Sequence, residues 1–369
     1  MTLGEGLHGR DNALNAVRLL LAVLVVLSHT RPVGGFGPDP VIGGRGLGAW
    51  AVAGFFAISG YLICASRDRL SWQQFAISRI LRIYPGYWLS LVAVAVVFSP
   101  AAAMFTGSRF DPAAASRFVL VNLATPVQWT FGEAIGRAAR PEAWNAPLWT
   151  LTHEMCCYVI AGVALSARRV RRRVALVTGG TLAALTVVNL LLAWSGALGG
   201  TKLLDLLHLL GFFTAGSLIW ALRDRIRVRG TLAILSLAAV TAIGLMSATD
   251  QLAALPVAYL ALASGAALPT RIGNKRDLSY GLYIYGWPVE TTLYLAGASH
   301  FGWAKYTLLS LAVAVPVAWA SWACVERPAL GLRRRLSSRP ARTPDQHTSP
   351  DRKPADDTAP APLAPATPG

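Results

Sequence analysis

Apolar residues in this chain run on in long unbroken stretches, separated by short polar segments. Ten runs stand out: 13–30, 47–65, 86–104, 147–165, 174–194, 203–222, 230–248, 252–268, 278–297 and 305–324. Each approaches the 20 or so apolar residues that a helix needs to cross the hydrocarbon core of a bilayer. The pattern therefore predicts an all-α polytopic membrane protein with about ten transmembrane helices. The second and ninth runs contain Gly or Pro, which membrane helices tolerate better than soluble ones. A shorter stretch, Phe118–Trp129, reads as interfacial or re-entrant; if it spans, the parity of the helices changes. The first run leads into Ser28-His29-Thr30-Arg31-Pro32 with no small-residue cleavage site, so it reads as a retained helix. After 337 the chain turns to Pro, Ala, Asp, Thr and Arg, a composition that cannot bury enough apolar surface to fold. The expected organisation is a short cytoplasmic N-terminus (1–12), a membrane domain (13–336) and a disordered cytoplasmic tail (337–369).

Composition sharpens this picture. Hydrophobic residues make up 54% and charged residues 14% of the 369, against roughly 25% charged in soluble domains. The net charge of +16 would suggest nucleic acid in a soluble protein, but no folded polar domain is left to bind it. The positions of the charges supply another explanation. With the N-terminus inside, 25 of the 34 Lys and Arg fall in inner segments, and the bias alternates from loop to loop, as cytoplasmic loops require. Both termini are thus expected in the cytoplasm. Cys64, Cys156, Cys157 and Cys324 have neither metal-ligand nor disulfide-framework spacing, so no metal site is expected. No internal repeat is evident, which weighs against an inverted-repeat transporter.

Ionisable groups inside lipid are costly and mark candidate sites. Arg18, His29, Glu154 and Glu290 fall inside predicted spans. Arg18 and His29 lie eleven residues apart, about three helical turns, and so share one face at roughly 16 Å separation. That spacing fits a fixed cation below a titratable imidazole, and equally an arginine reaching for the interface. By their depth in the predicted helices, His29, Glu154 and Glu290 could converge in the outer half of the membrane, a grouping suited to proton transfer. Each carboxylate could instead pair with an arginine or cap a helix break. His153 faces away from Glu154, and His208, among leucines, reads as a packing residue. Arg79 and Arg82, at i and i+3, form either a fork for phosphate oxygens or ordinary inner-side charge.

These motifs together resemble the integral-membrane acyltransferase family 3, which O-acylates sugars and other hydroxyl-bearing acceptors. The resemblance runs from residue 12 to 328. It rests on Arg18 to His29, on Gly54-Phe55-Phe56-Ala57-Ile58-Ser59-Gly60-Tyr61, and on Arg79-Ile80-Leu81-Arg82-Ile83-Tyr84-Pro85. It continues through Leu148-Trp149-Thr150-Leu151-Thr152-His153-Glu154 with Tyr158, Ser279-Tyr280-Gly281-Leu282-Tyr283 with Trp287-Pro288, and Glu326-Arg327-Pro328. Two departures are visible. Many members carry an Asp before the Phe-Phe pair, where this chain reads Val52-Ala53-Gly54, and many carry a His where it has Gly286.

The resemblance implies a membrane enzyme, in the bacterial inner membrane, that moves an acyl group from cytoplasmic acyl-coenzyme A. Acetyl-coenzyme A is the default donor, and the acceptor a hydroxyl of an envelope polysaccharide, glycolipid or other glycosylated molecule. On this reading His29 is the general base, and Glu154 orients it or shares its proton. Arg18 lines the donor path or stabilises charge, and Arg79 and Arg82 hold the donor's phosphates. A relay through an acylated Ser28 or Cys156 is conceivable. The outer loop 105–146, with Trp129, Trp144, Arg109, Arg137 and Arg140, is the expected acceptor platform. The alternative is a small-solute or lipid-linked-sugar transporter using the same buried charges as a path.

Overall fold

The computed structural model describes residues 1–337 apart from Arg10, Leu198, Ser247 and 249–251. The tail expected to be disordered lies outside the described residues. Within them the chain is predominantly helical, with one two-residue strand pair and several long loops. Eleven helices carry the fold: α1 (Leu14–Val33), α2 (Leu47–Arg69), α3 (Trp72–Thr106), α4 (Pro112–Val121), α5 (Trp149–Ala164), α6 (Val174–Ser195), α7 (Lys202–Ala221), α8 (Gly230–Leu245), α9 (Ala254–Ala267), α10 (Ser279–Leu295) and α11 (Trp303–Leu332).

Each of the ten apolar runs falls on a helix. Six helices are long and apolar enough to cross a membrane: α1, α2, α3, α6, α7 and α11. The rest are shorter. The Phe118–Trp129 stretch divides between α4 and a loop; α4 has ten residues, about 15 Å of helix, half a hydrocarbon core.

Local signals set the helix ends. Ser71 and Gln74 form a capping box that opens α3, satisfying amides that no helical carbonyl can reach. Asp111 caps α4, with Pro112 in its first turn, and Thr201 caps α7. Gly107 and Gly196 close α3 and α6 at positive φ, a conformation that costs glycine little. The π-helical turns Val94–Phe98 and Trp322–Glu326 interrupt α3 and α11.

The centre of the bundle is α10, every residue of which from Ser279 to Thr291 is buried. It packs along α1 and α11, while α2 packs along α1 and α7. The contact of α2 with α7 is unusually close, because a Cβ at Gly60 would collide with the Phe213 carbonyl and one at Gly216 with the Ala57 carbonyl. Outside this core, α6 and α8 expose Leu176, Leu191, Trp194, Ile234 and Leu235, the apolar perimeter a bilayer would cover.

Connections at one end of the bundle tie the N-terminus to inter-helix loops. Leu3 and Gly4 donate backbone hydrogen bonds to Ile226 and Arg223, Asn15 bonds Asn274 at 3.2 Å, and Asp11 pairs with Arg271. At the other end, a hairpin pairs Val41–Ile42 with Arg45–Gly46. Its turn residues Gly43 and Gly44 both have positive φ, as a two-residue hairpin turn demands. This hairpin holds Arg45 over the ring of Phe212 in α7, 5.2 Å from its centroid.

Candidate active site

Two cavities meet inside the bundle. The outer one, at the hairpin end, has a volume of about 440 Å³. The inner one is about 50 Å³ and sits deeper, toward the N-terminal end of α1. Both are lined by Val52 of α2, Thr150 of α5 and Tyr283 of α10. At that junction the hydroxyls of Thr150 and Tyr283 are hydrogen-bonded at 2.5 Å.

His29 lines the outer cavity. The edge of its ring meets Trp287, with centroids 5.0 Å apart and planes at 77°. The Trp287 indole N–H is already committed to the Ala143 carbonyl at 3.0 Å, so this ring serves as a fixed wall. Among the described residues no protein hydrogen bond occupies the imidazole nitrogens. The backbone beneath His29 is held by Ser28, which is fully buried, donates to Asp39 and accepts from the Gly48 amide at 2.9 Å. Asp39, Arg45, Trp149, Asp205 and His208 complete the polar and aromatic lining. Burial lowers the pKa of the Arg45 guanidinium to about 10, opposed by the nearby Asp205.

Arg18 and Glu154 line the inner cavity, with Ser59, Ser279 and Tyr280. Glu154 accepts a hydrogen bond from Ser59 Oγ at 2.9 Å and another from the Tyr158 hydroxyl. Arg18 Nη1 and Arg82 Nη2 both reach Oδ2 of Asp277, each at 2.7 Å. Asp277 stands just before α10, where its other oxygen accepts from the Ser279 hydroxyl at 2.6 Å. Burial acts to raise its pKa, but the Arg18 and Arg82 charges outweigh it and hold the carboxyl below the usual range.

The structure thus places Arg18 and His29 in two neighbouring cavities that share walls, but rearranges their partners. Glu154 does not join His29. It lies one helical turn beyond Thr150, about 6 Å along α5, and points into the inner cavity beside Arg18. Glu290 joins neither: it is fully buried, both carboxylate oxygens lack a hydrogen-bond partner, and it lines neither cavity. Depth along a helix placed these groups at one level; the direction of each side chain around its helix separates them.

Arg79 and Arg82 do not close into a fork either. Arg82 turns to Asp277 and over the Tyr280 ring, whereas Arg79 stacks on Phe75 and Tyr158, 5.8 Å from each centroid, and donates to Ser78 Oγ at 3.1 Å. The expected acceptor platform changes too. Trp144 is fully buried, bonded to the Phe131 carbonyl at 2.9 Å and packed on that ring, so it supports the outer loop from within. The tryptophans that face the outer cavity are Trp149 and Trp287.

Of the proposed relay nucleophiles, Ser28 is enclosed by its two hydrogen bonds. Cys156 opens on a separate apolar groove lined by Tyr84, Tyr87, Pro126 and Met155. His153 faces away from Glu154, against the Trp149 and Lys202 carbonyls, while His208 faces the outer cavity and not a packed leucine layer. Among the described residues no group of three His, Cys, Asp or Glu side chains is placed to hold a metal.

Asp277 is the member of this cluster that sequence reasoning missed. A signal existed: an Asp two positions before Ser279-Tyr280 is a helix-entry residue, and helix entries favour Asp. Nothing local shows that two arginines, 259 and 195 residues away, converge on it.

Comparison with known proteins places the chain in a family. Residues 11–324 match the model of the acyltransferase 3 family, described as an acyltransferase domain. The chain is 28% identical over 169 residues to an O-acetyl transferase of Shigella phage Sf6, a match covering 42% of this chain and just under half, 46%, of that protein. It is 26% identical over 380 aligned positions to nodulation protein 10 of Rhizobium leguminosarum bv. viciae, covering 91% of this chain and 97% of that one. No solved structure matches it.

Proposed function

This chain belongs to the acyltransferase 3 family, and from that premise we propose that it moves an acetyl group from cytoplasmic acetyl-coenzyme A to a sugar hydroxyl on the outer side of a bacterial plasma membrane. The observation that carries the reading is the meeting of two unlike cavities at Val52, Thr150 and Tyr283. One is narrow and flanked by Arg18, Arg82 and Asp277. The other is roomy and lined by two imidazoles, two tryptophans and two carboxylates.

The ten apolar runs act as the transmembrane helices in this reading. The arginine-rich end then faces the cytoplasm, because most of the Lys and Arg lie in loops on that side. Coenzyme A approaches there, with Arg79 and Arg82 meeting its phosphates, and the thioester enters the inner cavity past Arg18 and Glu154. The acceptor enters the outer cavity, where Trp149 and Trp287 offer ring faces and Asp39 and Asp205 accept from sugar hydroxyls. The name of the phage relative, an O-acetyl transferase, supports transfer to oxygen.

At the junction His29 takes the proton of the acceptor hydroxyl as the oxygen bonds the thioester carbonyl carbon. The carbonyl oxygen becomes an oxyanion, and the Tyr283 hydroxyl, turning from Thr150 toward it, supplies one neutral donor while Thr150 stays bonded to the Pro147 carbonyl. Collapse breaks the carbon–sulfur bond, and the leaving thiolate takes the proton back from the imidazolium. Transfer is direct, since neither Ser28 nor Cys156 opens on the path. A ring whose nitrogens no protein group occupies suits this role: its nitrogen is available to the substrate.

The test uses the full chain in nanodiscs with acetyl-coenzyme A and native envelope glycan. Thiol release coupled to glycan O-acetylation is expected, and His29→Ala should reduce it by roughly 10²–10⁴-fold with normal membrane insertion. Undiminished transfer by His29→Ala would reject the base. Solute uptake without thioester cleavage would favour a transporter.

A further inference from the structure

The inner cavity, about 50 Å³, is wide enough for a thin pantetheine arm and far too small for an adenine nucleotide. The nucleotide end of coenzyme A therefore rests outside, at the mouth. That mouth is marked by Asp277, which bonds Arg18 and Ser279, both in the cavity wall.

Immediately before Asp277, residues 271–276 line a shallow open basin of about 520 Å³ together with Asp11. The segment exposes Arg271, Lys275 and Arg276. It is a built turn and not a loose basic run. Gly273 has φ +82°, and a Cβ there would press on Asn15 at 3.1 Å, so the backbone lies directly on the first turn of α1. Asn274 accepts from the Asn15 side-chain amide at 3.2 Å and donates to the Asn12 carbonyl at 3.1 Å. Asn15 stands three residues before Arg18, on the same helical face. The turn is thus fixed to the helix that carries one cation of the mouth.

The carboxylates close to this turn are already engaged. Asp11 pairs with Arg271, and Asp277 with Arg18 and Arg82. Among the described residues Lys275 and Arg276 have no carboxylate partner. Consecutive Cα atoms are about 3.8 Å apart, so both cations sit within two residues of the clamp that holds Arg82. Coenzyme A presents two separate anionic groups: the pyrophosphate, and a phosphate monoester of about −2 charge on the ribose 3′-oxygen. Arg79 and Arg82 on α3 meet the first in the reading above, which leaves the second to be placed.

We propose that Lys275 and Arg276 bind the 3′-phosphate of the donor, so that the turn before α10 distinguishes coenzyme A from thioesters that lack this group. The inference rests on the reading above, in which the donor enters past Arg18. Two cations on one exposed turn, next to a narrow passage, suit a phosphate that must bind and leave at every turnover.

The test compares acetyl-coenzyme A with 3′-dephospho-acetyl-coenzyme A, using the full chain in phosphatidylcholine nanodiscs and native envelope glycan as acceptor. The wild type should show a KM about tenfold lower for the phosphorylated donor, the scale of one or two charge-assisted hydrogen bonds at an exposed site. Lys275→Ala combined with Arg276→Ala should raise that KM to the dephospho value, leaving the dephospho KM and both kcat values unchanged. Arg172→Ala, an exposed arginine of another basic segment, should preserve the preference. Equal KM values in the wild type, or equal losses for both donors in the double variant, would overturn the site while leaving acetyl transfer intact. A wild type without the preference whose melting temperature is raised by phosphatidylglycerol only when Lys275 and Arg276 are present would assign the turn to lipid headgroups and also overturn the site. Transfer from neither donor would overturn the acetyltransferase reading and the site with it.

Discussion

Replacing Asp277 with Ala removes the carboxylate that Arg18 and Arg82 share, and leaves two guanidiniums facing each other. The side chains are 18%, 17% and 15% exposed for Arg18, Asp277 and Arg82, so the cluster is shielded without being sealed. Removing one partner of a buried ion pair costs about 3–5 kcal/mol, whereas exposed pairs contribute about 0–1 kcal/mol. A doubly bonded carboxylate at this exposure falls between, at about 2–4 kcal/mol. Asp277→Ala should therefore lower the melting temperature in detergent by several degrees. Arg18→Gln combined with Asp277→Ala should cost less than the two separate losses together, because the stranded charge is gone. The pH dependence follows from the lowered carboxyl. A depressed carboxylate stabilises fully above its unfolded value, near pH 4, and the benefit disappears as the pH falls through the folded value. The difference between wild type and Asp277→Asn should then stay constant from pH 8 to about pH 5 and shrink only in stronger acid. A melting temperature within about 1 °C of wild type, or strictly additive losses, would show that the clamp contributes nothing.

Arg79→Ala should raise the KM for acetyl-coenzyme A with a smaller effect on kcat, since Arg79 lies outside the Asp277 clamp; Arg82→Ala should raise KM and lower stability together, and an unchanged donor KM in both would remove the arginines from donor binding. Gly60→Ala should fail to yield monodisperse protein, because the added methyl would occupy the place of the Phe213 carbonyl, and size-exclusion chromatography in detergent reads this directly. For sidedness, Val41→Cys in the exposed hairpin should react with a membrane-impermeant maleimide in intact cells, while Arg171→Cys should react only after permeabilisation; the reverse order would invert the proposed topology.

The amino-acid sequence determined a good deal alone. Runs of about 20 apolar residues can be satisfied only by helices in an apolar solvent, so the all-α architecture follows without any contact being known. The eleven-residue spacing of Arg18 and His29 was legible for a similar reason: within one helix, number in sequence converts directly to position in space. The family was legible too, because its motifs occur in order along the chain.

Tertiary structure decided the rest. Whether Glu154 serves His29 or Arg18 depends on how α5 is rotated against α2, and whether Arg79 and Arg82 act together depends on what lies across from α3. Asp277 gained its partners only when α1, α3 and the segment before α10 came together. The close approach of α2 and α7 exists because Gly60 and Gly216 let two backbones touch. Apolar periodicity records how far each residue sits along its own helix, but it carries nothing about the azimuth of one helix against another. A site made from facing side chains is written in those angles.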